Sequence, residues 1–355
     1  MMLDERTRIY RYIKAVPKAE LHVHLEGSIQ PATLLMLAQR NNVKLPVETV
    51  EDLQDWFTFR DFDHFIEIYF EISSCLKTSD DYELIAYEFG AQMVRQNVHY
   101  AEVTFSPSTH QFSLGIPFDV FFSGLTTGRQ RAQAEFGVEI RWVFDIVRDI
   151  PDLQLNRRRA EYTLAVAEEG MHDGVVALGL GGGEVGNPPE RYTKWFEKAL
   201  EAGLHSAPHA GETVGPESVW GALRVLGAER LGHGVRSIED SVLVEYLAEQ
   251  HIPLEICPTS NIRLGVYPDL SSHPLRELHK AGVPVTINSD DPPLFNTTLN
   301  NEVKLLVDPF NFDITTIDEI LLNGVRCSFL PTEEKQAKEA TYQAEMTKLR
   351  RELSL

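Results

Sequence analysis

Cysteine is nearly absent from this chain. Three thiols, Cys75, Cys257 and Cys327, are scattered through 355 residues. They are odd in number and outside any metal-type pair, which excludes a disulfide framework and points to a reducing compartment. Positive charge is also short: 33 Lys and Arg stand against 53 Asp and Glu, a net charge of −20. A field of that sign repels a phosphate backbone and disfavours an anionic membrane surface, so neither nucleic acid nor membrane is an expected partner. No run is long and apolar enough to cross a bilayer, and the first ten residues lack the apolar core of a signal peptide. A soluble, cytoplasmic protein is expected. Repeats, low-complexity tracts and linkers are missing too, so residues 1–355 read as one domain, 43% hydrophobic and long enough to bury a barrel core.

What the chain does have is a series of short apolar, β-branched runs separated by helical stretches. The runs are Ala19–Leu25, His99–Ser106, Glu139–Val147, Val175–Gly181, His205–Ala210, Arg230–Val235, Pro253–Cys257 and Val283–Ser289. Between them, Ser79 with Asp80 and Asp81 opens an amphipathic run to Asn97, Pro216-Glu217-Ser218 precedes another, and Ile238–Gln250 is apolar at helical spacing. Eight such βα units predict an α/β fold, a (β/α)8 TIM barrel, with its reactive groups at the C-terminal ends of the strands. The interval after the first strand is long and carries Trp56, Phe57, Phe59, Phe62, Phe65 and Phe70. It reads as an inserted helical lid over the barrel mouth, or equally as ordinary packing among insertion helices. Thr316 to Glu319 has capping-box form, and Thr332 opens a charged helix that ends at Leu353.

Five of the strand ends carry chemistry. His22 and His24 are two apart in a strand, so both rings face the same side and can reach one ion. His209 precedes the small-residue turn Ala210-Gly211 and then Glu212. His233 lies between Gly232 and Gly234, Cys257 leads into Pro258-Thr259-Ser260-Asn261, and Asp290-Asp291 precedes Pro292. Each has a plain explanation in isolation: unrelated histidines on a polar face, a solvated glutamate, a core histidine, an Asx turn. Their coincidence at the ends of one eight-unit pattern makes a shared site the better reading. Gly179-Leu180-Gly181-Gly182-Gly183 loosely imitates a dinucleotide loop, but Pro188-Pro189 soon follows where a helix N-terminus would have to hold phosphates.

The segments Pro17–Ser28, His209–Glu212, Leu231–Gly234 and Asn288–Pro292 resemble, in order, those of the adenosine deaminase family of zinc amidohydrolases. The resemblance implies one Zn2+ held by His22, His24, His209 and Asp290. It implies that Glu212 delivers a proton to purine N1, that His233 and Asp290 serve the attacking water, that Asp291 contacts N7 and that the Gly182 backbone meets N3. Glu26 and His24 are implied on the substrate side. Zinc lowers the pKa of water from about 15.7 to about 7, which supplies hydroxide at neutral pH. The expected reaction is hydrolytic deamination of a small-molecule 6-aminopurine nucleoside to the 6-oxopurine and ammonia. Lysine is missing from Val175–Glu184, so the bridging group of two-metal relatives is not expected.

Two departures from adenosine-specific members bear on the substrate: Glu26 replaces a shorter aspartate, and Gly179 replaces an aspartate. Together with Phe57–Phe62 and Asn288–Phe295, they resemble the bacterial branch that includes aminodeoxyfutalosine deaminases of menaquinone synthesis. An aryl carboxylate on the 5′ substituent would need a cation, and Arg60 and Arg263 are the candidates by position, although either one taken singly reads first as a solvated surface arginine. The alternatives are an adenine deaminase that needs no ribose pocket and a non-catalytic purine-binding barrel. The His-x-Glu and Pro-Cys-x-x-Cys signature of the zinc cytidine deaminases is missing.

Overall fold

The computed structural model describes residues 4–355. Eight strands follow one another around a barrel: β1 Lys18–His24, β2 Val98–Phe105, β3 Glu139–Val147, β4 Val175–Gly181, β5 His205–Ala210, β6 Leu231–His233, β7 Leu254–Ile256 and β8 Val285–Ile287. Neighbours pair in chain order and in parallel from β1 through β8. The strands are buried almost throughout. That is why their sequences run apolar instead of alternating with polar residues, as sheets covered by crossover helices do. The (β/α)8 architecture expected from the sequence is the one found.

β6, β7 and β8 are shorter than their apolar runs suggested, and the cause is local. His233 and Asp290 adopt φ values of +58° and +61°, so the chain leaves strand geometry at the residues that carry chemistry. After β7, Pro258 opens the helix Pro258–Arg263, for which proline at the first turn is well suited.

The barrel closes between β8 and β1 through a seam that is largely made by side chains. One isolated parallel bridge joins Val23 to Asp290: the Asp290 N–H donates to His22 O at 3.1 Å, and the His24 N–H donates to Asp290 O at 2.9 Å. Below it, the Leu21 N–H donates to Asn288 Oδ1 at 3.0 Å, and the Ser289 N–H and hydroxyl donate to Glu20 Oε1 at 2.6 and 2.7 Å.

The long interval after β1 folds into the helices Pro31–Arg40, Val50–Trp56, Phe62–Ser73 and Ser79–Arg95. Asp61 caps the third, its carboxylate accepting the His64 N–H at 2.9 Å. Phe65 stacks on Phe295 of the segment after β8, with ring centroids 5.5 Å apart and planes 22° apart. The packing expected of the insertion is found in Phe65, and Phe62, Phe65, Ile66, Tyr69 and Phe70 place the insertion at the wall of the cavity at the barrel mouth. The capping box expected at Thr316 is not formed. The helix begins earlier, at Ile314, because Asp313 caps it and accepts the Thr316 N–H at 2.8 Å. The last helix spans Thr332–Leu353 as expected, and Tyr342 ties it to β1 by donating to Lys18 O at 3.0 Å.

Asn288 is fully buried, and its Nδ2 also donates to Thr286 Oγ1 at 2.9 Å. Asn288→Leu keeps the volume but strands the Leu21 N–H, and the expected loss is about 1–3 kcal/mol. Urea unfolding checks this: the midpoint falls while the slope is unchanged, whereas an unchanged midpoint would show that the seam does not depend on this side chain.

Candidate active site

Because β1 alternates its side chains, His22 and His24 enter the barrel on the same face, and β5 brings His209 in beside them. One ring nitrogen from each of the three lies within 4.8 Å of the others. Asp290 Oδ1 is 3.6 Å from His22 Nε2 and 3.3 Å from His24 Nε2. His209 Nε2 faces His24 Nε2 at 3.3 Å, and the buried His22 Nε2 has no hydrogen-bond partner. Three converging imidazole nitrogens and a carboxylate form the donor set that suits zinc. Cys257 Sγ also lies close to His22, His233 and Asp290. Burial, with the nearby carboxylates, pushes its thiol well above the usual range, which makes it the poorer donor.

The field at this point calls for one positive centre. Burial disfavours a charged His22, yet Asp290 and Glu255 outweigh it and raise the ring to about 10. Burial and the neighbouring rings hold His209 well below its ordinary value, so that imidazole is neutral. Burial alone would raise Asp290, but the adjoining His22 and His24 rings keep it ionised, well below the carboxylate range.

His22 is itself held from behind. Its Nδ1 meets Glu255 Oε2 at 2.8 Å, Glu255 Oε1 pairs with Arg230 Nε, and Arg230 Nη2 reaches Glu102 Oε2 at 2.5 Å. All of these groups are buried. A carboxylate behind a ligating histidine fixes its orientation and leaves the other nitrogen free for a metal.

Glu212 sits just past β5 on a loop clamped by another buried acid, Glu184. The Glu184 carboxylate accepts the N–H groups of Gly211, Glu212, Thr213 and Val214 at 2.6, 3.2, 2.8 and 2.8 Å, and the Ser218 hydroxyl at 2.5 Å. Burial, then the charges of Asp290 and Glu184, lift Glu212 to about 8, so it is a carboxylic acid at neutral pH. His233 Nε2 lies 3.6 Å from Glu212 Oε1 and 3.8 Å from Asp290 Oδ2. Its tautomer follows from a chain that begins at a backbone donor. The Leu275 N–H donates to His273 Nδ1 at 3.2 Å, His273 Nε2–H donates to Asn261 Oδ1 at 3.1 Å, and Asn261 Nδ2–H donates to His233 Nδ1 at 3.2 Å. Burial, then His22, keeps His233 neutral at about 3, so its proton is on Nε2 and faces the site.

A cavity of about 250 Å³ opens over this cluster and is lined by His24, His209, Glu212, His233, Asp290, Asp291 and Gly182, among others. Asp291 is pushed well above the carboxylate range by burial and by Asp290, and its buried Oδ1 has no partner. It fits only because residue 27 is glycine: a Cβ there would lie 1.6 Å from Asp291 Oδ1. Gly182, at φ +83°, brings bare backbone to the wall. Glu26 is not among the lining residues. Its Oε1 accepts from the Ser106 N–H at 3.2 Å and meets His110 Nε2 at 3.0 Å, and its Oε2 accepts from the Tyr69 hydroxyl at 3.0 Å. Tyr69 is the group that faces the cavity. Arg60 and Arg263 are exposed and outside this lining, and Arg263 borders a separate cavity. The arginine that does line it is Arg159, which no motif in the sequence marked. Glu184, Glu255 and Arg230 were also missed, because their roles arise only from contacts between distant strands.

Residues 17–340 match the adenosine deaminase family profile. The chain belongs to the adenosine deaminase family. It is accordingly an enzyme that acts on a C–N bond of a purine-like substrate. The aminodeoxyfutalosine deaminase of Streptomyces coelicolor is 44% identical over 325 residues, which cover 91% of this chain and 82% of that protein. The structure of an adenine deaminase from Arthrobacter aurescens superposes with a TM-score of 0.86 at 32% identity, covering 94% of this chain and 99% of that one. An amidohydrolase from Burkholderia ambifaria, solved with bound zinc, superposes with a TM-score of 0.87 at 26% identity, covering 100% of this chain and 96% of that one.

The support behind His22 generates a prediction. Glu255→Gln removes the charge that orients the ring, and zinc affinity is expected to fall about 10–100-fold. Competition against a chromogenic chelator measures this, with the melting temperature followed in parallel. Unchanged affinity in a folded variant would show that Glu255 serves only Arg230.

Proposed function

We propose that the protein is a zinc-dependent 6-aminopurine nucleoside deaminase whose preferred substrate is aminodeoxyfutalosine, a nucleoside with an aryl carboxylate at the end of its 5′ substituent. The observation that carries the chemistry is the convergence of His22, His24, His209 and Asp290 beside the buried Glu212, with all but His22 lining one cavity. Identity to aminodeoxyfutalosine deaminases supports the substrate. The three unpaired thiols suit a cytoplasmic enzyme.

His22, His24, His209 and Asp290 would hold one zinc, which, when bound, supplies a water acidic enough to attack at neutral pH. Asp291, protonated, donates to N7, and the Gly182 backbone meets N3, which places C6 over the donor cluster. Glu26 acts on the substrate through Tyr69, the hydroxyl it orients. His233 donates its Nε2–H to the incoming oxygen and fixes its approach, and Asp290 takes a proton from it. As the C6–O bond forms, electrons move to N1, which receives the proton of Glu212. The C6–N bond then breaks and ammonia leaves. Of the two protons of water, one ends on ammonia and the other replaces the proton that Glu212 gave to N1.

Glu212→Gln keeps the shape and removes the acidic proton. Turnover is expected to fall about 10²–10⁴-fold, with metal content still near one per chain. Near-normal turnover, or loss of the metal, would overturn the role. The substrate reading is tested by following the adenine absorbance band. The expected order of kcat/KM is aminodeoxyfutalosine, then adenosine, then free adenine; turnover of adenosine or adenine at or above that of aminodeoxyfutalosine would contradict it.

A further inference from the structure

Arg159 is the only arginine or lysine lining the cavity among the described residues. It comes from the helix Leu153–Gly170 after β3, whereas the metal donors come from β1, β5 and the end of β8. The side chain is 7% exposed. Its Nη2 donates to Ser113 Oγ at 2.7 Å, its guanidinium carbon lies 5.7 Å from the centre of the Phe112 ring, and its buried Nε has no partner.

The other two large buried arginines do not reach this cavity: Arg148, whose Nε and Nη1 are also unpartnered, and Arg230 both lie outside its lining. Arg230 is paired with Glu102 and Glu255, and Arg148 Nη2 donates to the carbonyls of Leu180 and His209. Asp149 lines the same cavity, but Arg159 forms no ion pair with it. A buried guanidinium that feels the charge of Asp149 without an ion pair to it is left incompletely matched unless an anion completes it, and a planar fork with a free Nε–H matches a carboxylate. Phe62, Phe70 and Ile150 supply apolar wall in the same cavity, which favours an aryl group over a bare phosphate.

We propose that Arg159, positioned by Ser113, binds the carboxylate at the end of the substrate's 5′ substituent and sets the enzyme's preference for an anionic nucleoside. The assignment rests on the deaminase reading above and gives to Arg159 the role that position in sequence suggested for Arg60 or Arg263.

The test compares kcat/KM for aminodeoxyfutalosine, its methyl ester and adenosine 5′-monophosphate in the wild-type enzyme and in Arg159→Leu and Arg159→Lys. A charge-assisted hydrogen bond of this kind corresponds to an acid-to-ester ratio of about 10–100 in the wild type. That ratio is expected to approach one in Arg159→Leu and to be partly kept in Arg159→Lys. Structural damage alone would lower acid and ester in proportion and leave the ratio where it was. If Arg159→Leu does not fold, the wild-type ratio still decides: a value near one overturns the proposal. A wild-type ratio that persists in a folded Arg159→Leu also overturns it, as does a phosphate preferred to the carboxylate. Equal turnover of acid and ester defeats this inference and leaves the deaminase reading standing, while failure to deaminate any of the three defeats both.

Discussion

Everything at the mouth of this barrel depends on how β8 is joined to β1. The backbone of Asp290 donates to His22 and accepts from His24, so the bond that closes the barrel also sets the spacing of three donors. His209 is brought to the same point across the barrel by β5. A chain without disulfides has to hold such a cluster by packing and hydrogen bonds, and here the cluster and the closure are one piece of structure. The left-handed backbone of Asp290 and His233 costs about 1–3 kcal/mol at each. It is tolerated because both residues are buried and paired with neighbouring strands.

The second constraint is charge. The chain carries a large excess of acid, and the barrel interior concentrates some of it: Glu20, Glu102, Glu184, Glu212, Glu255 and Asp290 are all buried. Their environments differ enough to divide the labour. Glu255 is held ionised, despite burial, by Arg230 and His22, and so fixes the His22 ring from behind. Glu184 satisfies four backbone N–H groups, and so shapes a loop. Glu212 is left with burial and like charges, and so keeps its proton. Environment, and not residue type, makes one carboxyl a positioning group and another an acid.

Much of this was legible in the sequence, for physical reasons. Three strands, β3, β4 and β5, fall on the boundaries their apolar runs suggested, because period and turn chemistry act locally. The histidine spacing in β1 placed two rings on one face by geometry alone. What the sequence did not expose was non-local. Glu26 looked like a substrate contact, but its carboxylate is engaged by Tyr69, Ser106 and His110. Arg60 and Arg263 were near recognisable segments, whereas Arg159 lies inside Arg157-Arg158-Arg159, which reads as a solvated helix face until the helix is docked on β3. Thr316 had the form of a cap, and Asp313, three residues earlier, took the position.

The central claim is that a single metal held by His22, His24, His209 and Asp290 works with Glu212 on a 6-aminopurine. Titrating the metal-free chain with zinc, while following loss of the adenine absorbance band and release of ammonia, tests it most directly. The account predicts no deamination without metal and full activity at one equivalent per chain. Full activity in the metal-free chain, or a second equivalent needed to reach it, would contradict the account.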